Sequence, residues 1–215
     1  MKSKPTSKNR LEDDLRRAGR MPPGQMLARK LPVLHYGSVP GFNQATWRFR
    51  VHGEVETPLE MDWEAFGRLP RTQVEMDLHC VTGWSLPGTV WEGVSVRTLV
   101  DEGLVRPLPS ARFVLQQAEG GFTANLPLET VLQENFLLAT HYNGQPLTPE
   151  HGFPLRAVVG VIPGRKDLKD VYLWKGAKWL RSLQFLSADQ LGFWEQAGYH
   201  NDADIWKEER YNYQR

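Results

Sequence analysis

Residues 73–85 read QVEMDLHCVTGWS, and this stretch decides how the chain is organised. From Val74 to Cys80 every second side chain is apolar, which predicts a strand with one face in the core. The strand runs into Gly83, a residue that favours tight turns. The stretch therefore predicts that Cys80 lies at the end of a strand and points toward the core side of the sheet.

Short strands of the same kind dominate the rest of the chain. Apolar patterns predict strands at residues 46–53, 113–115, 136–142, 145–148, 154–162 and 180–186. Short helices are predicted after the capping residues Asp62 and Ser95, and at residues 128–133. Asn143-Gly144 predicts a hairpin turn. The predicted fold class is α+β, with mainly antiparallel or mixed sheets and short helices.

Composition excludes several classes of protein. The 215 residues are 40% hydrophobic and 11% aromatic, which is enough for one packed domain. Because 26 basic residues are matched by 25 acidic ones, we expect no nucleic-acid binding. No apolar run has the length of a transmembrane segment. Cys80 is the single cysteine, which excludes an internal disulfide and a zinc site built on several thiolates.

The charge is unevenly distributed along the chain. Residues 1–30 carry nine Lys/Arg and three Asp/Glu, contain Pro and Gly, and show no apolar stripe. We expect them to form a basic N-terminal arm, extended or mobile, and residues 31–215 to form one domain. No apolar segment follows Arg16-Arg17, so an export signal is not predicted and a cytoplasmic protein is expected. Residues 192–215 are expected to lie across the surface.

A second basic segment lies within the otherwise acidic domain. Residues 151–185 hold seven Lys/Arg against two Asp/Glu. These lysines either belong to a solvated loop or, between Trp174 and Lys178, converge with backbone N–H groups on one phosphate. Arg156 lies within an apolar run, so we expect it to be partly buried. Its partner is then either an internal carboxylate or an anionic ligand.

The residue types leave three roles open for Cys80. It is a small core residue, a nucleophile or a metal ligand, since a soft thiolate suits metals that accept sulfur donors. A nucleophile needs a base, and the neighbouring His79 points to the opposite face of the strand. The sequence does not place the other histidines relative to Cys80.

Several motifs, in order along the chain, resemble the sulfite-oxidase-fold molybdenum enzymes. They are HCVTGWS (79–85), WEGV (91–94), HGFPLR (151–156) and WKGAKWL (174–180), with further likeness in PVLHYG (32–37) and GFWEQAGYHN (192–201). The greatest likeness is to the small, haem-free bacterial sulfite oxidase-like group, which is related to the catalytic subunit of periplasmic methionine-sulfoxide reductase. Each motif alone is weak, and their order and their coverage of residues 20–211 make the resemblance specific.

This resemblance implies a sulfite-oxidase molybdopterin-binding fold for residues 31–215. It implies a molybdenum ion held by one pyranopterin dithiolene and by Cys80, which is then both the metal ligand and a catalytic residue. The pterin phosphate is implied to bind the segment around Gly176. The implied cofactor-binding residues are His35, Tyr36, Gly37, Cys80, His151, Arg156, Lys175, Gly176, Ala177 and Lys178.

The activity implied by the resemblance is molybdopterin-dependent oxygen-atom transfer on a small substrate, either a sulfite-like oxyanion or an S-oxide. The sequence shows no haem or iron–sulfur motif, so a separate electron-transfer partner, a haem or flavin protein, is implied. Two alternatives stay open. One is a non-catalytic binding module on the same fold that recognises a protein partner, and the other is a Cys/His hydrolase.

Overall fold

Two sheets form the body of the structure, a computed structural model that describes residues 7–213. The first sheet contains β1 (Met26–Leu27), β4 (Thr72–His79), β5 (Trp84–Val94), β8 (Phe136–Tyr142), β9 (Gln145–Pro146) and β10 (Arg156–Val159). The second contains β2 (Phe49–Gly53), β3 (Leu59–Met61), β6 (Phe113–Ala118), β7 (Thr123–Pro127) and β11 (Leu180–Leu186). The helices are short: α1 (Ser7–Arg17), α2 (Trp63–Gly67), α3 (Val96–Asp101), α4 (Leu128–Val131) and α5 (Phe193–Gln196).

The sheets are mixed, with antiparallel pairing in the majority. The second sheet runs in the order β3-β2-β11-β6-β7, and β2 lies parallel to β11. In the first sheet β5 pairs with β4 and β8 in antiparallel fashion and with β1 in parallel. This architecture confirms the predicted α+β class. None of the helices in residues 7–213 has the length and apolar content that crossing a membrane requires.

Local chemistry explains where several elements begin and turn. The Asp62 carboxylate accepts a hydrogen bond of 2.8 Å from the N–H of Ala65, which caps α2 as predicted. Ser95 caps α3 in the same way. Asn143 and Gly144 both have positive φ angles, 48° and 75°, which is the geometry of the predicted tight hairpin between β8 and β9.

The strand β4 departs from the simple alternation in its second half. Asp77 and His79 are buried together with their apolar neighbours, and the pairing of β4 with β5 shifts register between Met76 and Leu78. The side chain of Asp77 forms a bidentate ion pair with Arg20, with distances of 2.7 and 2.8 Å. The prediction that only one face of this strand lies in the core is therefore wrong for its second half. The N-terminal segment covers the face that carries Asp77 and His79.

The prediction of an extended arm is wrong for the described part of residues 1–30, and residues 1–6 lie outside the described residues. Residues 7–17 form the helix α1. Leu15 and Met21 are buried, at 7% and 5% exposure, and β1 extends the first sheet. The apolar stripe of α1 is too short to stand out in the sequence. The Glu12 and Arg16 side chains of α1 bind the backbone of Leu27 and Gln25, outside the helix.

Residues 192–213 also differ from the expectation that the C-terminal segment lies across the surface. Ala203 and Ile205 are fully buried in the main core, and Glu195 is buried as well. Tyr199 packs at right angles on Trp174, with ring centroids 5.1 Å apart. The segment therefore closes one side of the molecule, beside the end of β4.

Candidate functional site

Cys80 lies directly after β4, in a turn of residues 80–84 that we call the cysteine turn. The N–H of Cys80 donates to the carbonyl of Trp84 at 2.9 Å, and the N–H of Gly83 donates to the carbonyl of Cys80 at 3.0 Å. Gly83 has a φ of 89°, a conformation that favours glycine. The thiol is half-buried and accepts a contact of 3.3 Å from the Thr82 hydroxyl. The predicted position of Cys80, at a strand end before a glycine turn, is confirmed.

The Cys80 side chain lines a cleft of about 330 Å³, a volume suited to an organic cofactor or a small ligand. Six of the residues named from the sequence line it: His35, Tyr36, Cys80, Arg156, Gly176 and Lys178. Much of the remaining wall is aromatic and was not singled out from the sequence: Trp84, Phe122, Trp174, Trp179, Trp194 and Tyr199. Five of these six lie within motifs at residues 79–85, 174–180 and 192–201, whereas no motif includes Phe122.

Arg156 contributes a buried positive charge to the cleft. It is 2% exposed, and its guanidinium donates to the carbonyls of His151 at 3.1 Å and Ala157 at 3.3 Å. Burial lowers the pKa of Arg156 to about 10. Among the described residues no carboxylate forms an ion pair with it. The sequence left its partner open, and the structure favours an anionic ligand over an internal carboxylate.

Lys178 places a second cation in the same cleft. Its ammonium donates to the carbonyls of Leu34 at 2.8 Å and Glu150 at 2.7 Å. Burial, and then repulsion by Arg156, lower the pKa of Lys178 to about 7. Arg156 also lies 5.3 Å from the ring centre of Trp91, and Lys178 lies 5.9 Å from that of Trp179. Two neighbouring cations that form no ion pair with a carboxylate of the described residues are costly without a ligand. Their arrangement is typical of a site for a strongly anionic group such as a phosphate.

Gly176 allows the backbone of residues 174–178 to pack closely against β10. A Cβ atom at this position would lie 2.7 Å from the carbonyl oxygen of Ala157, closer than side chains approach. A larger residue would push the segment of residues 174–178 away from β10. Glycine is therefore required for the segment that carries Lys178 to pack against β10, the strand that carries Arg156.

The other four predicted residues do not line the cleft. Gly37 is exposed beside Tyr36, and Ala177 is fully buried, with its N–H bound to Gln116 at 2.9 Å. The His151 ring contacts the Thr148 hydroxyl at 3.0 Å. Burial, and then Lys178, lower the pKa of His151. The backbone carbonyl of His151 accepts a hydrogen bond from the Arg156 guanidinium.

Lys175 is the clearest departure from the sequence prediction. Its ammonium is 2.7 Å from a carboxylate oxygen of Glu195 and 3.0 Å from the side-chain oxygen of Asn125, and both ends of the ion pair are 1% exposed. The same carboxylate oxygen accepts a hydrogen bond of 2.8 Å from Trp174. The structure thus places the Lys175 ammonium beneath the wall of the cleft, where it supports Trp174, and not in the cleft.

Glu195→Gln is expected to destabilise the fold by about 3 kcal/mol, because it leaves the Lys175 ammonium buried without a counter-charge. The matched control is Glu64→Gln, which breaks an exposed helical pair with Arg68 and should cost less than about 0.5 kcal/mol. Urea unfolding of both variants measures the difference. Equal stability of the two variants would contradict a supporting role for the buried pair.

The histidines give little support to a Cys/His hydrolase. The His79 ring is buried, and its Nδ1 atom lies 2.7 Å from the Ser85 hydroxyl, away from the cleft. Burial lowers the pKa of His79 to about 4, so the ring is neutral near pH 7. His35 does line the cleft, where it packs edge-on against Trp179 at 5.3 Å.

Comparisons with known proteins point in one direction. The family described as oxidoreductase molybdopterin binding domain matches residues 36–194 of this chain. The uncharacterized oxidoreductase YuiH of Bacillus subtilis (strain 168) is 43% identical over 197 residues, which cover 91% of this chain and 94% of that protein. The family match spans the cleft residues from Tyr36 to Trp194, Cys80 among them.

More distant relatives share part of their length with this chain. The protein-methionine-sulfoxide reductase catalytic subunit MsrP of Campylobacter jejuni is 24% identical over 147 residues, which cover 60% of this chain and 48% of MsrP. The sulfane dehydrogenase SoxCD of Paracoccus pantotrophus, a solved structure, is similar with a TM-score of 0.59 and 22% identity. That similarity covers 72% of this chain and 41% of the SoxCD chain, and it shows the fold alone.

Proposed function

Because this chain belongs to the family of oxidoreductases with a molybdopterin binding domain, we propose that Cys80 binds the molybdenum and that the enzyme transfers an oxygen atom to or from a small sulfur compound. Family membership makes the protein a molybdenum-cofactor oxidoreductase whose cofactor is Mo-molybdopterin. This confirms the enzyme class and cofactor that the sequence motifs implied. The metal ligand, the substrate and the direction of the reaction are parts of the proposal.

The observation that carries the proposal is the pair of neighbouring cations in the cleft that Cys80 lines, Arg156 buried and Lys178 half-buried. Among the described residues Arg156 and Lys178 meet backbone carbonyls and the rings of Trp91 and Trp179 but form no ion pair with a carboxylate, and a molybdopterin phosphate supplies the missing negative charge. Cys80 offers a soft thiolate to the metal in the same cleft. The residues of the cleft therefore fit a group that carries both a negative charge and a thiophilic metal.

The chain's residues bind and orient the cofactor in this proposal. Arg156 and Lys178 hold the phosphate, Gly176 lets the backbone approach it, and the cysteine turn directs Cys80. The aromatic walls, among them Trp174 and Trp194, limit access of water to the cleft. When bound, the cofactor supplies a metal that changes its oxidation state by two electrons, from VI to IV or the reverse.

The substrate class that we propose is a sulfite-like oxyanion or an S-oxide. Oxidation of the oxyanion takes oxygen from water and releases two electrons and two protons, and reduction of an S-oxide consumes the same and releases water. The name of MsrP, a methionine-sulfoxide reductase, supports an S-oxide, although this chain spans only 48% of MsrP. Both directions are therefore included in the test.

Two electrons must reach or leave the site, and we propose a separate haem or flavin protein as the partner. The single cysteine, Cys80, excludes an iron–sulfur cluster held by several thiolates of this chain. The cytoplasmic location that the sequence led us to expect stays a prediction.

The test is to express the chain in a host that makes the cofactor and to measure molybdenum and pterin. We expect equal amounts of both, together with visible absorption from thiolate-to-metal charge transfer. Artificial electron donors and acceptors are then screened with sulfite-like oxyanions and S-oxides. Repeated preparations of folded protein that hold no molybdenum would overturn the proposal, and colourless folded protein would favour a non-catalytic binding module.

A further inference from the structure

The N-terminal segment crosses the cysteine turn at close range. We call residues 20–28 the N-terminal strap. The N–H of Met26 donates to the carbonyl of Gly83 at 2.9 Å, and the N–H of Ala28 donates to the carbonyl of Ser85 at 2.8 Å. These bonds make β1 a parallel neighbour of the start of β5. The strap thus holds the strand on the far side of the turn from β4.

The side chain of Gln25, within the strap, contacts Cys80 at the start of the cysteine turn and Ser85 directly after it. It is 1% exposed, and its side-chain amide donates to the carbonyl of Cys80 at 3.1 Å. Its side-chain oxygen accepts from the Ser85 hydroxyl at 3.4 Å. Its own carbonyl is held by the guanidinium of Arg16 at 2.6 Å. One buried amide therefore holds the backbone carbonyl of the cysteine and contacts the side-chain hydroxyl of the residue that follows the turn.

Arg210 binds the same turn from the other end of the chain. Its guanidinium donates to the carbonyl of Val81 and reaches the carbonyls of Pro23 and Gly24, each at 3.4 Å. The guanidinium also lies 5.0 Å from the ring centre of Tyr172, which keeps it in place. Arg210 consequently joins the strap and the cysteine turn to the C-terminal segment.

The strap is anchored by a buried ion pair next to the turn. Arg20 binds Asp77, which is fully buried and lies three residues before the cysteine on β4. The second interaction of this carboxylate is with the N–H of Gly88, at 2.8 Å. The strap cannot shift along the sheet without breaking this pair, so Gln25 has a fixed position relative to β4.

We propose that Gln25 and Arg210 are positioning residues, which hold the carbonyls of the cysteine turn and thereby fix the direction in which the Cys80 thiolate meets the metal. This inference rests on the proposed function, since it takes Cys80 as the metal ligand. The turn has few hydrogen bonds of its own, and a metal ligand is held rigidly only when its backbone is held. Groups that orient a ligand in this way commonly change metal affinity about tenfold or more when they are removed.

The test compares Gln25→Met with Leu15→Ala in the molybdenum-loaded protein. Gln25→Met keeps the shape of the side chain and removes its hydrogen bonds to the Cys80 carbonyl and to the Ser85 hydroxyl. Leu15→Ala weakens the same segment at a buried side chain that makes no hydrogen bond. We expect Gln25→Met to speed hydrogen exchange of the turn amides about fivefold, to shift the charge-transfer band and to lose molybdenum about tenfold faster on dialysis.

Leu15→Ala is expected to change none of these three readouts, although it lowers the melting temperature. The inference is overturned if the band and the turn amides of Gln25→Met match the wild type, or if Leu15→Ala changes them equally. If Gln25→Met does not fold, Arg210→Met is measured in its place, and the same outcomes support or overturn the inference. A wild-type protein without molybdenum would instead overturn the proposed function. The molybdenum content of the wild type is therefore measured before any variant is made.

Discussion

Cys80→Ser is expected to fold like the wild type and to show no turnover. The thiol is half-buried at the edge of the cleft, so replacing sulfur by oxygen costs the core little. A hydroxyl is a poor substitute for a thiolate on molybdenum, because it is harder and remains protonated near pH 7. We expect activity to fall by more than the roughly 100-fold that loss of an orienting group causes. Circular dichroism, bound molybdenum and dye-coupled activity are the measurements.

Thr82→Val is the matched control for this variant. Its hydroxyl contacts the sulfur of Cys80 at 3.3 Å, so the change perturbs the surroundings of the thiol without removing it. We expect most of the activity and all of the molybdenum to be retained. Full activity in Cys80→Ser would exclude Cys80 from the mechanism, and equal loss in both variants would point to the turn as a whole.

Much of the fold could be predicted because short-range rules decide it. The caps Asp62 and Ser95 satisfy N–H groups three residues ahead, so their role is visible in the sequence itself. The Asn143-Gly144 hairpin likewise needs only two residues with positive φ. The helix α1 escaped prediction because its contacts are made outside the helix: the Glu12 carboxylate accepts from the N–H of Leu27, and Arg16 donates to the carbonyl of Gln25.

The site was predicted in part, for a related reason. Motif order brought Cys80, Arg156 and Lys178 together, and the structure places all three in one cleft. Lys175 stands three residues before Lys178, and sequence spacing does not show which ammonium faces the ligand. The direction is decided by Glu195, twenty residues further along, which binds the Lys175 ammonium in the interior. Partners of this kind become visible only in the folded chain.

Arg156→Met is expected to separate cofactor binding from the stability of the fold. In the chain without cofactor, the buried guanidinium meets two carbonyls and the ring of Trp91, 5.3 Å away, but no carboxylate among the described residues, so it adds little net stability. We therefore expect the free energy of unfolding of cofactor-free protein to change by no more than about 1 kcal/mol.

Cofactor binding, unlike the stability of the fold, should change strongly on the same substitution. If Arg156 holds the phosphate, its loss removes a charge-assisted contact in a buried site, and we expect retention of molybdenum and pterin to fall at least about tenfold. Arg181→Met is the control, because Arg181 is partly exposed and pairs with Glu119 at 3.2 Å. That variant should keep its cofactor. Two outcomes would show that Arg156 stabilises the fold and does not bind the ligand. One is an Arg156→Met protein that holds its cofactor normally, and the other is a loss of unfolding free energy as large as that of a broken buried ion pair.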